Sequence, residues 1–267
     1  MVKNMMTNVN RTLFIPLYGK AYVSRKQIIL NDPMAEKIWD KEAFSIGRRS
    51  RSRWLCYNMA MRARVFDDWT DEQLKEHPDA LVLHVGCGLD SRCLRVREPY
   101  VNWVDCDFPD VISARRNYYQ ETEAYHMTEL NAADPEQVRS LPDARIAIVI
   151  LEGISMYLNH AQLRGFFRTL QEKYGQVHIL MDIYTVFGAK ASKYKNPINE
   201  AGVTKVYGID DIEGLLSGLK IRFLREHSLT PARLVDELTG GERRIFKWLF
   251  TGRLYRRIYR LLELEKV

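Results

Sequence analysis

The sequence predicts an α/β fold in which a doubly wound, largely parallel sheet follows an N-terminal helical cap. From about residue 80, short apolar runs alternate with amphipathic stretches, as is typical of strand–helix units in a parallel sheet. Residues 1–77 have the pattern of helices and loops, with apolar residues at helical spacing. No linker rich in Pro, Gly or Ser divides the 267 residues. We therefore expect a single domain over residues 1–267, with a cap over 1–77 and a core over 78–267.

Each part of the chain carries its own local signals. In the cap, Asn31-Asp32-Pro33 is a helix-start signal, and Arg53–Trp69 has the apolar spacing of a helix. The predicted strands of the core are Leu81–Val85, Val101–Asp107, Tyr125–Leu130, Arg145–Leu151 and Val177–Tyr184. The predicted helices between them are Pro109–Gln120, Pro135–Leu141 and Ala161–Tyr174.

The last 60 or so residues have a different pattern. It predicts helices over Asp210–Ser217, Pro231–Leu238 and Glu242–Phe250, and a strand over Ile221–His227. The closing Leu-Glu-Leu-Glu-Lys-Val alternates in polarity, which favours a final strand over Leu254–Lys266, paired with the preceding strand. The alternative is one basic helix over Arg243–Arg260, able to lie on an anionic membrane.

Composition excludes several classes of protein. Hydrophobic residues at 46% and charged residues at 28% exclude a disordered chain. The longest aliphatic run, Ile146–Leu151, is far shorter than the roughly 20 residues that a membrane span needs. The four cysteines form no CxxC pair, and the six histidines have no metal-ligand spacing, so we expect no disulfide framework and no metal. A cytoplasmic protein without a membrane span is predicted.

The net charge of +6 is concentrated in two basic stretches, Arg48–Arg64 and Gly241–Val267. No helix-turn-helix, zinc-finger or RNA-binding motif accompanies them, so we expect no nucleic-acid partner. The remaining interpretations are a solvated basic face or an acidic small-molecule substrate.

A glycine pair follows the first predicted strand, in Gly86-Cys87-Gly88. At the carboxyl end of a strand, such a pair lets a ligand lie against bare backbone. The third glycine of the dinucleotide fingerprint is replaced by Ser91, which disfavours NAD. The second strand ends in Asp105-Cys106-Asp107, where an acid can accept hydrogen bonds from ribose hydroxyls. A ribose without a pyrophosphate points to S-adenosyl-L-methionine.

Three segments resemble the motifs of a known family. They are Val82–Arg92, which is similar to a strand–GxGxD[ST]R loop, Val104–Pro109, and Leu151–Leu158 with its E-G-x-x-M-Y-L pattern. In this order they resemble the leucine carboxyl methyltransferase family, including its bacterial polyketide and small-molecule O-methyltransferases. The resemblance implies a Rossmann-like class I methyltransferase sheet. It also implies S-adenosyl-L-methionine as cofactor, with S-adenosyl-L-homocysteine as product.

The resemblance implies a role for individual residues in the core. Gly86 and Gly88 would approach the methionyl part of the cofactor, with Glu152 beside them, and Asp107 would bind the ribose. Glu129 and Leu130 would flank the adenine, although the family has Asp where this chain has Glu129.

In the cap, Met61–Asp67 resembles the family's R-[TA]-R-x-x-D segment. Arg62 would bind the cofactor carboxylate through its guanidinium, with Arg64 as the alternative. Lys20 would be the second cation of that clamp.

The acceptor is expected between the cap and an insertion over residues 184–208, which carries Lys190, Lys193 and Lys195. With the arginines of residues 48–53, these lysines favour an acidic small-molecule acceptor. Transfer to a carboxylate needs no general base, whereas a hydroxyl acceptor does, and the sequence singles out no such base. The predicted function is methyl transfer to a carboxylate or hydroxyl oxygen. The alternative is a catalytically silent scaffold or regulatory protein that binds S-adenosyl-L-methionine.

Overall fold

The computed structural model describes residues 13–42, 46–192 and 206–266. In these residues seven strands form one sheet in the order β3-β2-β1-β4-β5-β7-β6. The strands are β1 (Leu81–Val85), β2 (Asn102–Asp107), β3 (Tyr125–Glu129), β4 (Ile146–Leu151), β5 (Gln176–Tyr184), β6 (Arg222–His227) and β7 (Tyr259–Lys266). The first five are parallel, and β7 lies antiparallel between β5 and β6. The predicted α/β class is confirmed.

Helices cover both faces of the sheet. In chain order they are α1 (Phe14–Arg25), α2 (Pro33–Glu42), α3 (Arg53–Glu76), α4 (Arg92–Arg95), α5 (Pro109–Arg115), α6 (Pro135–Arg139), α7 (His160–Lys173), α8 (Val186–Ala191), α9 (Ile212–Leu216), α10 (Ala232–Val235), α11 (Gly240–Phe250) and α12 (Arg253–Arg256). A short 3-10 helix spans Ser155–Tyr157. Among the described helices, none is both long enough and apolar enough to cross a membrane.

The sheet alternates its side chains between two hydrophobic cores. On β4, Ile148 and Ile150 pack with the cap, whereas Val149 and Leu151 pack with α7 and α9 on the other face. All six residues of β4 are buried, which explains its uninterrupted apolar sequence. One core therefore includes residues of both the cap and the sheet.

Local sequence accounts for the start of α7 but not for the end of α3. Asn159 and Gln162 form a capping box at the start of α7, which satisfies backbone amides that lack partners within the helix. Helix α3 continues to Glu76, seven residues beyond the predicted end. Its final turns bury polar side chains, including Thr70 and Asp71, that the apolar spacing does not reveal.

The C-terminal segment differs from both sequence-based interpretations. Helix α11 ends at Phe250, α12 follows as a separate turn, and the strand begins at Tyr259 rather than Leu254. The single basic helix over Arg243–Arg260 is therefore wrong, and the final strand is confirmed in a shorter form. Pairing of β7 with β6 is also as predicted.

Candidate active site

The register of the strands brings four residues together at one edge of the sheet: a glycine and three acids. Val85 of β1 pairs with Cys106 of β2 and with Leu151 of β4. The residues that follow these three, namely Gly86, Asp107 and Glu152, therefore lie side by side. Leu151 in turn pairs with Met181, which places Asp182 next to Glu152. This is the edge at which open α/β sheets bind ligands.

The glycine loop adopts a backbone that other residues rarely adopt. Gly86 and Gly88 have φ angles of 72° and 52°. A Cβ at Gly86 would lie 2.9 Å from the Ile154 side chain, so this position has no room for one. The loop therefore presents bare backbone at the end of β1, as predicted.

Asp107 closes this loop through its carboxylate. One oxygen accepts a 2.8 Å hydrogen bond from the Gly88 amide, and the other accepts one of 2.8 Å from the Phe108 amide. Burial nevertheless raises the pKa of Asp107 to about 6, against these hydrogen bonds. Each oxygen keeps a lone pair for a further donor, such as a sugar hydroxyl.

Arg62 lies at the centre of a buried ionic cluster. Its Nε donates to Glu152 at 2.9 Å, and its Nη1 donates to Asp182 at 2.8 Å and to the Tyr259 hydroxyl at 2.7 Å. Burial raises the pKa of Asp182, an effect that Arg62 and Tyr259 only partly offset. Burial also opposes ionisation of Glu152, but Arg62 and Arg92 outweigh it and hold its pKa at about 2.

Lys20 joins this cluster through the loop acid Asp90. Its Nζ donates to Asp90 Oδ2 at 2.7 Å, with the lysine only 3% exposed. Arg95 donates to the other Asp90 oxygen at 2.7 Å, and Arg92 donates to Glu152. Burial opposes ionisation of Asp90, yet Arg95 and Lys20 hold its pKa well below the usual range.

A cavity of about 560 Å³ joins the loop to the cap. Six of the eight predicted site residues line it, namely Lys20, Arg62, Gly86, Gly88, Asp107 and Glu152. Its other walls carry the aromatic side chains of Trp54, Tyr157, Tyr184, Phe250, Tyr255 and Tyr259. The lining of the cavity therefore has a charged part, formed by Lys20, Arg62, Asp107 and Glu152, and an aromatic part, which Tyr259 joins to Arg62 through its hydroxyl.

The two remaining predicted residues lie outside the cavity lining. Glu129 is exposed at the carboxyl end of β3, in register with Asp107. Leu130 is buried, and its backbone amide donates to the Asp107 carbonyl at 2.8 Å. Both lie beside the predicted ribose ligand, and their adenine role stays a prediction.

The structure also shows where the alternative clamp residue Arg64 and one of the insertion lysines lie. Arg64 donates to Asp68 at 2.9 Å and does not line the cavity, unlike Arg62. In the insertion, Lys190 is exposed on α8, while Lys193 and Lys195 lie outside the described residues.

Sequence reasoning missed several residues of the site. Asp90 and Arg92 stand in the glycine-loop motif itself, so that motif held the signal for them. Tyr255 and Tyr259 had no such signal, because their segment was predicted to be a continuous strand. Asn58 also lines the cavity and lies one turn before Arg62 on α3.

The donors and acceptors of the cavity suit S-adenosyl-L-methionine. Its ribose hydroxyls need an acceptor such as Asp107, and its amino-acid end needs both cations and carboxylates. Arg62 Nη2 has no hydrogen bond within the described residues and lies 3.6 Å from the position of a Cβ at Gly153. Arg62 Nη2 can therefore donate a hydrogen bond to a ligand beside Gly153, whose φ is 74°.

Known proteins similar to this chain are methyltransferases. Residues 8–171 match the family described as leucine carboxyl methyltransferase. The tetracenomycin polyketide synthesis O-methyltransferase TcmP of Streptomyces glaucescens is 30% identical, over 94% of this chain and 97% of the relative. The S-adenosyl-L-methionine-dependent methyltransferase dpfgK of Gibberella zeae is 26% identical, over 82% of this chain and 83% of the relative.

Solved structures share the fold. A putative methyltransferase from Thermobifida fusca has a TM-score of 0.57 at 14% identity and covers 93% of both chains. The magnesium protoporphyrin IX methyltransferase of Synechocystis with bound SAH has a TM-score of 0.51 at 11% identity. It covers 84% of this chain and 89% of its own. At these identities the likeness concerns the fold alone.

The family match covers more than half of the sequence, and the Streptomyces relative aligns with nearly all of it. The chain therefore belongs to the leucine carboxyl methyltransferase family, and it is an S-adenosyl-L-methionine-dependent O-methyltransferase.

Proposed function

We propose that this enzyme methylates an oxygen of a small, aromatic and negatively charged acceptor. The observation that carries the proposal is that one cavity is lined by both the charged part and the aromatic part. Trp54, Tyr184 and Phe250 belong to the aromatic part, which suits a flat ring system. The Streptomyces glaucescens relative is named for tetracenomycin polyketide synthesis, which supports a small-molecule acceptor.

The charged part would hold the cofactor, whose sulfonium supplies an electrophilic methyl group when bound. Asp107 would accept hydrogen bonds from the ribose hydroxyls. Arg62 and Lys20 would bind the carboxylate of the amino-acid end, and Glu152 would face its ammonium group. This assignment is supported by the position of these four side chains on one cavity.

Gly86 and Gly88 would let the methionyl chain lie against the loop backbone. Glu129 and Leu130 would flank the adenine at the end of β3, next to Asp107. The cofactor would thus follow the sheet edge from β3 towards β4.

The acceptor would lie under α3 and the segment before β7. A carboxylate is already ionised, so the protein needs only to orient it and exclude water, whereas a phenol must also lose its proton. Tyr255 and Ile258, in that segment, cover the cavity from the C-terminal side. Arg49 also lines the cavity and supports a preference for a negatively charged acceptor.

A transfer assay with methyl-labelled cofactor tests this proposal. The acceptors would be a matched aromatic set that carries a carboxylate, a phenol or neither group. We expect labelled product with the first or second acceptor and none with the third. Alkaline hydrolysis then releases labelled methanol from a methyl ester but not from a methyl ether. Equal labelling of all three acceptors, or of none, contradicts the proposal.

We place the enzyme in the cytoplasm. The four cysteines are buried free thiols, and burial raises the pKa of each. Unpaired thiols are typical of a reducing compartment. Cell fractionation tests this location, with recovery in the membrane fraction as the contrary result.

The cap and the sheet would unfold together as a single domain over residues 1–267. The core they share, which includes Tyr57 and Phe66 of α3 and Ile148 of β4, supports this proposal. Calorimetry should give one transition whose calorimetric and van't Hoff enthalpies agree. Two separate transitions would contradict it.

A further inference from the structure

Asn58 carries a buried amide nitrogen without a partner. The residue is only 6% exposed, and its Nδ2 has no hydrogen-bond partner within the part of the chain that the structure describes. Buried polar groups in folded proteins are almost always hydrogen-bonded. Because Asn58 also lines the cavity, a bound ligand can supply the partner that its buried nitrogen lacks in the protein.

The hydrogen bond between Tyr255 and Asn58 indicates what kind of ligand atom Asn58 can bind. Its hydroxyl donates to Asn58 Oδ1 at 2.7 Å, which engages the oxygen of the amide. Burial raises the pKa of Tyr255, so the hydroxyl stays protonated and remains the donor of that bond. The unpaired group of Asn58 is therefore its N–H donor, and a ligand that meets it must supply an acceptor atom such as an oxygen.

The position of Asn58 on α3 assigns it to the acceptor part of the cavity. Trp54 lies one turn before it, among the aromatic walls, and Arg62 lies one turn after it, in the charged cluster. Residues four apart share a helix face, so Asn58 lies between the proposed cofactor end and the aromatic walls. Tyr255 contacts it from the segment that closes the same part.

The chemistry of transfer decides which oxygen Asn58 contacts. A hydrogen bond to the attacking oxygen would draw electron density from it and slow its attack on the methyl group. A hydrogen bond to a neighbouring oxygen orients the acceptor without that cost. Resting on the proposed function, we infer that Asn58 binds a second acceptor oxygen beside the one that is methylated. This second oxygen is a ring-adjacent carbonyl or the other oxygen of a carboxylate.

A matched pair of probes tests this inference. Ortho-hydroxyacetophenone carries a carbonyl beside its hydroxyl, whereas ortho-ethylphenol has the same shape without that oxygen. The protein would be saturated with S-adenosyl-L-homocysteine, and the binding of each probe measured by NMR through the side-chain amide signals. Benzoate serves as the carboxylate probe. Signals missing in Asn58→Ala identify the Asn58 amide.

We expect the Asn58 signals to move with ortho-hydroxyacetophenone or benzoate and not with ortho-ethylphenol. The wild-type protein should prefer the ketone over the ethyl compound by about tenfold, and Asn58→Ala should reduce this preference to about twofold or less. Asn58→Asp, which removes the donors, should do the same. Asn117→Ala, an exposed asparagine outside the cavity, is the control and should keep the preference.

Two results would overturn the inference. One is equal binding of ketone and ethyl probes by the wild-type protein, or no binding of either oxygen-bearing probe. The other is a loss of S-adenosyl-L-homocysteine affinity in Asn58→Ala, which would assign the residue to the cofactor. These readouts measure binding, so they remain distinct from failure of the proposed function, which appears as absence of methylated product.

Discussion

Asp107 and Gly88 are joined by a 2.8 Å hydrogen bond from the Gly88 amide to the Asp107 carboxylate. The bond links the ends of β1 and β2 where the ribose is expected. Since burial raises the pKa of Asp107 to about 6, this carboxylate changes charge within an accessible pH range.

The first prediction concerns the pH dependence of cofactor binding. Ribose hydroxyls donate to the ionised form, so binding should lower the pKa of Asp107 and release protons below about pH 6. Affinity for S-adenosyl-L-homocysteine should be constant above pH 7 and fall as the pH drops through 6. Glu152, with a pKa of about 2, stays ionised throughout. Calorimetry in buffers of different ionisation enthalpy measures the released protons.

Asp107→Asn is the control for this dependence. This variant should bind S-adenosyl-L-homocysteine more weakly at pH 7, and its affinity should no longer fall as the pH drops through 6. The variant also separates Asp107 from Asp182, whose pKa is raised as well. Wild-type affinity that stays flat between pH 7.5 and 5.5 would show that Asp107 does not bind the ribose.

The second prediction concerns the cofactor clamp. Arg62→Lys keeps a cation near Glu152 and Asp182 but removes the guanidinium fork. Affinity for S-adenosyl-L-homocysteine should fall by about 1.5–3 kcal/mol, the range for a charge-assisted hydrogen bond. Arg64→Lys is the matched control, because Arg64 binds Asp68 outside the cavity, and its affinity should stay unchanged. The opposite pattern would assign the clamp to Arg64.

The third prediction concerns the glycine loop. Gly86→Ala forces a side chain into a positive φ and against Ile154, which should cost about 1–3 kcal/mol and weaken cofactor binding. Gly165→Ala, in α7, has open space around its Cβ and should stabilise the protein by about 0.5–1 kcal/mol. Urea denaturation compares the two. Equal stability of both variants would mean that the loop does not need this backbone.

The fourth prediction concerns the final strand. Leu262 is fully buried in β7, so Leu262→Ala should cost about 2–5 kcal/mol of unfolding free energy. Leu224→Ala, on the neighbouring edge strand β6, is 44% exposed and should cost much less. Thermal melting of the two variants gives the comparison. Similar melting temperatures would argue against a β7 packed inside the sheet.

The central strands β1 and β4 could be predicted from the sequence because they are buried on both faces. The predicted strand Arg145–Leu151 matches β4 to within one residue, and Leu81–Val85 matches β1 in full. The turn between α11 and β7 was not accessible, since the polarity of Leu254–Tyr259 does not distinguish a strand from a short helix. The pairing of β7 with β5 and β6, which are distant in the sequence, determines where the strand begins.

The candidate site was accessible where its residues follow a strand or stand in a motif. Asp107 and Glu152 are such residues, and both line the cavity. Asn58 and Tyr255 come from segments 197 residues apart, and only the tertiary fold brings them together. Their contact leaves no local pattern in the sequence.

Titration calorimetry of the protein with S-adenosyl-L-homocysteine and with NAD tests the central claim most directly. The loop after β1 leads into α4, which has only four residues, and buried Ser91 is held by Asp32 and Arg95. A pyrophosphate thus lacks the long helix N-terminus that it needs. We predict one S-adenosyl-L-homocysteine per chain, weakened by Asp107→Asn, and no heat of binding with NAD. Binding of NAD, or S-adenosyl-L-homocysteine affinity that is indifferent to Asp107→Asn, would contradict the account.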